Sequence, residues 1–134
     1  MHRILIADDD VDLRELLARV LSKAGYRVET VEDGDAAVEM VAASPPDVLI
    51  TDLLMPHLTG WSVFSRVRRL APQLPILIIS GATNGTPPDA TALPHHPVFL
   101  RKPVAMGEVL TTVARLLAER PTGSAPGEST LVAI

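Results

Sequence analysis

Asp8, Asp9 and Asp10 stand together directly after the apolar run Ile4-Leu5-Ile6-Ala7, and Asp52 follows the apolar run Val48-Leu49-Ile50. Ser80 follows Ile76-Leu77-Ile78-Ile79, and Lys102 comes just after Val98-Phe99-Leu100. Taken singly, each has an ordinary use. Acidic residues ahead of a helical pattern serve as caps and complement the helix dipole. Asp52 could belong to a turn, as could Ser80-Gly81, and Lys102-Pro103 could be a loop facing solvent. Taken together they offer more. Carboxylates gathered at one place repel, which raises the pKa of at least one of them unless a cation joins them. A hard divalent ion with oxygen ligands resolves the repulsion, and Mg²⁺ suits a few carboxylates with retained waters. A carboxylate beside such an ion can attack a phosphoryl donor and form an acyl phosphate. Mg²⁺ and Lys102 would neutralise the charge on the transferring group, the Ser80 hydroxyl could donate to a phosphoryl oxygen, and Gly81 leaves room for that oxygen.

These residues act jointly only if the fold brings them to one edge. The chain alternates short apolar runs with helical patterns. Leu13, Leu16, Leu17, Val20, Leu21 and Ala24 recur at helical spacing, and Gly25 supplies a stop. Tyr26 to Val31 alternates at period two as a half-buried strand does. Ala36, Ala37, Met40 and Val41 form a second helical pattern closed by Ser44-Pro45-Pro46; Trp61, Phe64, Val67 and Leu70 form a third; Val109, Leu110, Val113, Leu116 and Leu117 form the last. Five strands alternating with helices, several of them apolar on both faces, predict an α/β fold with a doubly wound, five-stranded parallel sheet. Sites in such folds lie at the carboxyl ends of the strands, near the switch in strand order. Asp8, Asp9, Asp10, Asp52, Ser80 and Lys102 all fall there.

A chain of 134 residues is one ordinary domain, able to bury roughly two-thirds of its unfolded surface. At 47% hydrophobic and 21% charged it is globular. The lack of cysteine excludes disulfides and thiol chemistry. A net charge of −4 argues against a nucleic-acid surface, and Arg66, Arg68 and Arg69 are expected to form a solvated helical face. No apolar run approaches the roughly 18–20 residues of a membrane span, and Ile4-Leu5-Ile6, which follows Met1-His2-Arg3, is expected to be too short for the apolar region of a signal peptide. The expected setting is cytoplasmic, without membrane insertion or direct nucleic-acid contact.

The set Ile4-Leu5-Ile6-Ala7-Asp8-Asp9-Asp10, then Asp52-Leu53-Leu54-Met55-Pro56 with Gly60, then Ser80-Gly81, then Lys102-Pro103, resembles the bacterial response-regulator receiver family over about residues 2 to 119. The resemblance implies a flavodoxin-like receiver fold in which Asp8 and Asp9 are metal ligands and Asp52 is both the phosphoacceptor and a ligand of Mg²⁺. It implies a further ligand in the Leu54 carbonyl, a switch hydroxyl in Ser80, a phosphoryl contact in Lys102, a rotating aromatic in Phe99 and a cis Lys102–Pro103 bond. A histidine kinase or histidine phosphotransfer protein would donate the phosphoryl group, and the switched domain would alter its binding to a downstream protein target. Such a domain is not an enzyme in the ordinary sense, since it catalyses only its own phosphorylation and slow dephosphorylation.

Two stretches depart from the family pattern. Gly81 to Pro97 carries Pro87, Pro88, Pro94 and Pro97 with two glycines, so the family's fourth helix is expected to be shortened or irregular, and the segment to be a loop whose order depends on phosphorylation. Residues 121–134, rich in Pro, Gly and Ser, are expected to be a flexible tail after a receiver domain at 1–120. His57 reads as an exposed loop residue, His95 and His96 lack a third ligand for zinc, and Trp61 reads as packing. Two other functions use the same residues: a phosphorylation-independent interaction domain of this fold, and an aspartate-nucleophile phosphatase for small molecules. The phosphatase reading is opposed by Leu54, which stands where such enzymes place a second acid.

Overall fold

β1 (Arg3–Ala7) and β3 (Val48–Thr51) are apolar at nearly every position because both of their faces are covered. In a computed structural model of the chain, which describes residues 1–52, 60–81 and 98–119, they sit at the centre of one parallel sheet. The other strands are β2 (Arg27–Val31), β4 (Ile76–Ser80) and β5 (Val98–Arg101), and the order is β2-β1-β3-β4-β5. Four helices lie among the described residues: α1 (Val11–Lys23), α2 (Gly34–Ala43), α3 (Gly60–Leu70) and α4 (Met106–Glu119). The expected doubly wound, five-stranded parallel sheet is therefore present.

Successive residues of a strand point to opposite faces, and the core divides accordingly. Leu5, Leu49, Ile76 and Ile78 pack with Ala37 and Val41 of α2 and with Val63, Phe64 and Val67 of α3. Ile4, Ile6, Val48, Ile50, Leu77 and Ile79 pack on the other face with Leu17 and Leu21 of α1 and Val109 and Val113 of α4. Each helix begins or ends where local chemistry directs. The Asp10 side chain caps α1 by accepting from the Leu13 N–H at 3.2 Å, and Asp33 caps α2 by accepting from Ala36 at 2.8 Å. Past the end of α1, Gly25 adopts φ 102°, a left-handed conformation that glycine takes without steric cost.

One expectation fails on α3. Arg66 and Arg69 are exposed, but Arg68 turns back over the end of its helix. Its Nη1 donates to the carbonyls of Ala71, Pro72 and Leu74 at 3.3, 2.9 and 2.7 Å, and its Cζ lies 5.1 Å from the centre of the Phe64 ring. Burial pushes the guanidinium below its usual pKa. These carbonyls lie past the end of α3 on the path into β4, and the guanidinium gathers them there. Arg68→Met is expected to cost about 2 kcal/mol, the scale of a lost hydrogen bond from a charged donor. Urea denaturation would read this as a lower midpoint at unchanged slope.

No helix among the described residues is long and apolar enough to cross a membrane. The expectations for 82–97 and for 120–134 lie outside the described residues, as do those for Leu54 and His57.

Candidate functional site

β1 feeds a chain that crosses to β2 on one side, while β3 lies on the other, so the strand order reverses between β1 and β3. Residues just beyond the carboxyl ends of these two strands come close to one another. Asp8 follows β1 and Asp52 follows β3, tied across the switch by the Asp52 N–H, which donates to the Ala7 carbonyl at 3.2 Å. Both are almost wholly buried, at 3% and 5% exposure, whereas Asp9 is exposed. The three carboxylates offer oxygen atoms lying within 4.8 Å of one another.

Lys102, just past β5, reaches into the same place. Its Nζ donates to Asp52 Oδ2 at 2.5 Å and lies 3.8 Å from Asp8 Oδ2. Burial alone would lower the pKa of this ammonium, but the hydrogen bond to Asp52 and the charges of Asp8, Asp52 and Asp10 outweigh it and leave the value raised. Asp8 is raised chiefly by burial, with the charges of Asp52 and Asp10 adding to it; the Asp10 backbone and Lys102 oppose the shift. The opposing hydrogen bond runs from the Asp10 N–H to Asp8 Oδ1 at 2.9 Å. One Asp8 oxygen is thus committed to the turn, and the other faces Lys102.

The donor set is suited to a hard cation. All three side chains present oxygen, none presents nitrogen or sulfur, and two are drawn out of water. With every group ionised, three carboxylates and one ammonium carry a formal charge of −2. Burying uncompensated charge is costly, and a divalent cation on Asp8, Asp9 and Asp52 would offset it. Mg²⁺ fits, since it is satisfied by one or two carboxylates and keeps several waters.

Of the remaining expected site residues, Ser80 closes β4 at the same carboxyl edge, in register with Arg101 of β5. Among the described residues, a Cβ at Gly81 would meet the Lys102 Cβ at 3.9 Å, an ordinary contact. Phe99 lies on β5 beside Ile78 and is 37% exposed. The Lys102–Pro103 peptide is cis, as the family resemblance implies.

Sequence reading passed over Arg14. Its Nη1 donates to the Asp8 carbonyl at 2.7 Å, so it supports the acidic turn from behind. The available signal was a cation near the start of α1, where the helix dipole disfavours positive charge.

Comparison with known proteins agrees with this geometry. The profile of the response regulator receiver domain matches residues 4–114. The response regulator MprA of Mycolicibacterium vanbaalenii is 35% identical over 127 residues, covering 95% of this chain and 55% of that protein. MprA of Mycobacterium leprae is 40% identical over 115 residues, covering 86% of this chain and 50% of that protein. The chain thus spans about half the length of these relatives. Among solved structures, the chemotaxis response regulator CheY4 of Vibrio cholerae superimposes with a TM-score of 0.77 at 31% identity, over 87% of this chain and 99% of that one. NtrX of Brucella abortus gives 0.77 at 28% identity, over 87% of this chain and 27% of that one. With its profile matched over 4–114 and its acidic pair, buried aspartate and lysine gathered at the strand switch, the chain belongs to the response regulator receiver domain family.

Proposed function

We propose that the chain is a phosphoryl-accepting signalling switch in which Asp52 is the acceptor. The observation that carries this reading is the placement of Asp52, buried at the switch in strand order, with the Lys102 ammonium at 2.5 Å and Asp8 and Asp9 within 4.8 Å. In the forward step an Asp52 carboxylate oxygen attacks the phosphorus of a phosphohistidine on a partner protein. The P–O bond forms as the P–N bond breaks, and the imidazole nitrogen keeps the electron pair and takes up a proton. Lys102 holds Asp52 in place before transfer and meets the negative oxygens of the incoming group during it. Mg²⁺, held by Asp8, Asp9, Asp52 and the Leu54 carbonyl, would supply charge neutralisation for the phosphoryl oxygens.

The switch part of the reading rests on Ser80 and Phe99. Ser80 would approach the new phosphoryl group and Phe99 would turn inward, so that a local change of charge biases a two-state element. The donor would be a histidine kinase or histidine phosphotransfer protein, and the output a changed affinity for a protein target. A receiver at 1–120, working in the cytoplasm, completes the proposal.

Intact mass after incubation with acetyl phosphate tests it. With Mg²⁺ the protein is expected to gain one phosphoryl group, and with the metal chelated it is expected to gain none. No adduct from acetyl phosphate, together with no amide shift change on adding beryllofluoride and Mg²⁺, would replace this reading with that of a phosphorylation-independent interaction domain.

A further inference from the structure

The carbonyl of Asp8 and the N–H of Asp9 belong to one peptide unit, and that unit is planar. Whatever fixes the direction of the Asp8 carbonyl therefore fixes the Cα of Asp9, the point from which its side chain leaves the backbone. β1 ends at Ala7, so this carbonyl lies beyond the ladder that orients the carbonyls before it. The Arg14 guanidinium takes over, donating from Nη1 at 2.7 Å. Its other arm, Nη2, lies 3.5 Å from Glu32 Oε1, in the turn between β2 and α2. The Arg14 side chain is only 12% exposed while that of Glu32 is 78% exposed. The guanidinium is thus held in place by its surroundings more than by its ion pair, since an exposed pair contributes little.

We infer that Arg14 is a positioning residue for the acidic pair: by clamping the Asp8–Asp9 peptide it sets the affinity of the site for a divalent cation. The inference rests on the reading of Asp8, Asp9 and Asp52 as cation ligands. It has a distinctive sign. Considered only as a charge, Arg14 repels a cation, so removing it would tighten binding. Considered as a clamp, Arg14 aims two carboxylates, so removing it weakens binding. Groups that orient metal ligands change affinity by about 10- to 100-fold when lost, and the geometric effect is expected to prevail. The Asp8 side chain is independently held through Oδ1 by the Asp10 N–H, so the greater loss of aim falls on Asp9.

The test is Mg²⁺ titration of the full chain, followed by amide NMR, for wild type, Arg14→Met, Arg14→Lys and Glu32→Gln. Thermal unfolding in the absence of metal would show that each variant is folded. Arg14→Met is expected to bind Mg²⁺ at least fivefold more weakly. Arg14→Lys, which keeps a donor that can reach the carbonyl, is expected to recover affinity to within threefold of wild type. Glu32→Gln is expected to remain within twofold. Should Arg14→Met not fold, Arg14→Gln takes its place under the same criteria. Tighter or unchanged binding in Arg14→Met, or a loss that Arg14→Lys does not recover, overturns the inference. A wild type that shows no saturable Mg²⁺ response would instead overturn the reading of the site itself.

Discussion

Asp52→Asn is expected to take up no phosphoryl group from acetyl phosphate and Mg²⁺ under conditions in which the wild type gains one per chain. Intact mass makes the comparison directly. The substitution preserves shape and leaves an oxygen for Lys102 to bond, so the change is chemical: an amide is not a competent nucleophile towards phosphorus. A loss below detection, about 100-fold or more, is expected because the neighbouring carboxylates are poor substitutes. Asp8 has Oδ1 bonded to the Asp10 N–H at 2.9 Å. Asp9 is exposed to water, whereas Asp52 is buried and held by Lys102 at 2.5 Å. Folding should survive. The variant loses an ion pair, but it also removes the charge on Asp52 that pushes the Asp8 pKa upward. A wild-type yield of adduct on Asp52→Asn would move the acceptor role to another residue.

Much of this arrangement was legible before any coordinates. Parallel strands buried on both faces have an apolar signature that edge strands lack, and Ile4–Ala7 and Val48–Ile50 carry it plainly. Once the sheet is inferred, the residue after each strand is placed at the carboxyl edge by the geometry alone, which is how Asp8, Asp52 and Lys102 came together. What sequence could not supply is the reach of long side chains. Arg68 and Arg69 are adjacent in the same helix and chemically identical, yet one bonds three carbonyls and the other is exposed. The difference lies in which way the helix faces and where the chain turns next, and both depend on tertiary packing. Arg14 escaped notice for the same reason. Its contact is with a backbone carbonyl, and backbone atoms leave no mark in a sequence pattern.

Lys102→Met should separate two effects that the wild type combines. Phosphorylation by acetyl phosphate is expected to slow by about 10²- to 10³-fold, the scale for losing one preorganised electrostatic donor. Mg²⁺ affinity is expected to move the other way, because the ammonium lies 2.5 Å from Asp52 and 3.8 Å from Asp8 and competes with a metal for the same charge. The metal-free variant should be less stable than wild type, since two buried carboxylates lose their cation, and Mg²⁺ should restore part of that loss. The pH dependence follows from the raised amine pKa. A raised value contributes stability throughout the range below the ordinary 10.5, and the contribution disappears as pH climbs through the folded-state value. The contribution is therefore intact at neutral pH, and the comparison can be made there without correction for partial charge. Stopped-flow or timed mass measurements at saturating Mg²⁺ give the rate, and titration gives the affinity. Slower transfer with tighter metal binding assigns Lys102 to the transferring group. If transfer at saturating Mg²⁺ keeps its wild-type rate, Lys102 serves only to neutralise the resting carboxylates, and the cation then carries the charge of the transfer without it.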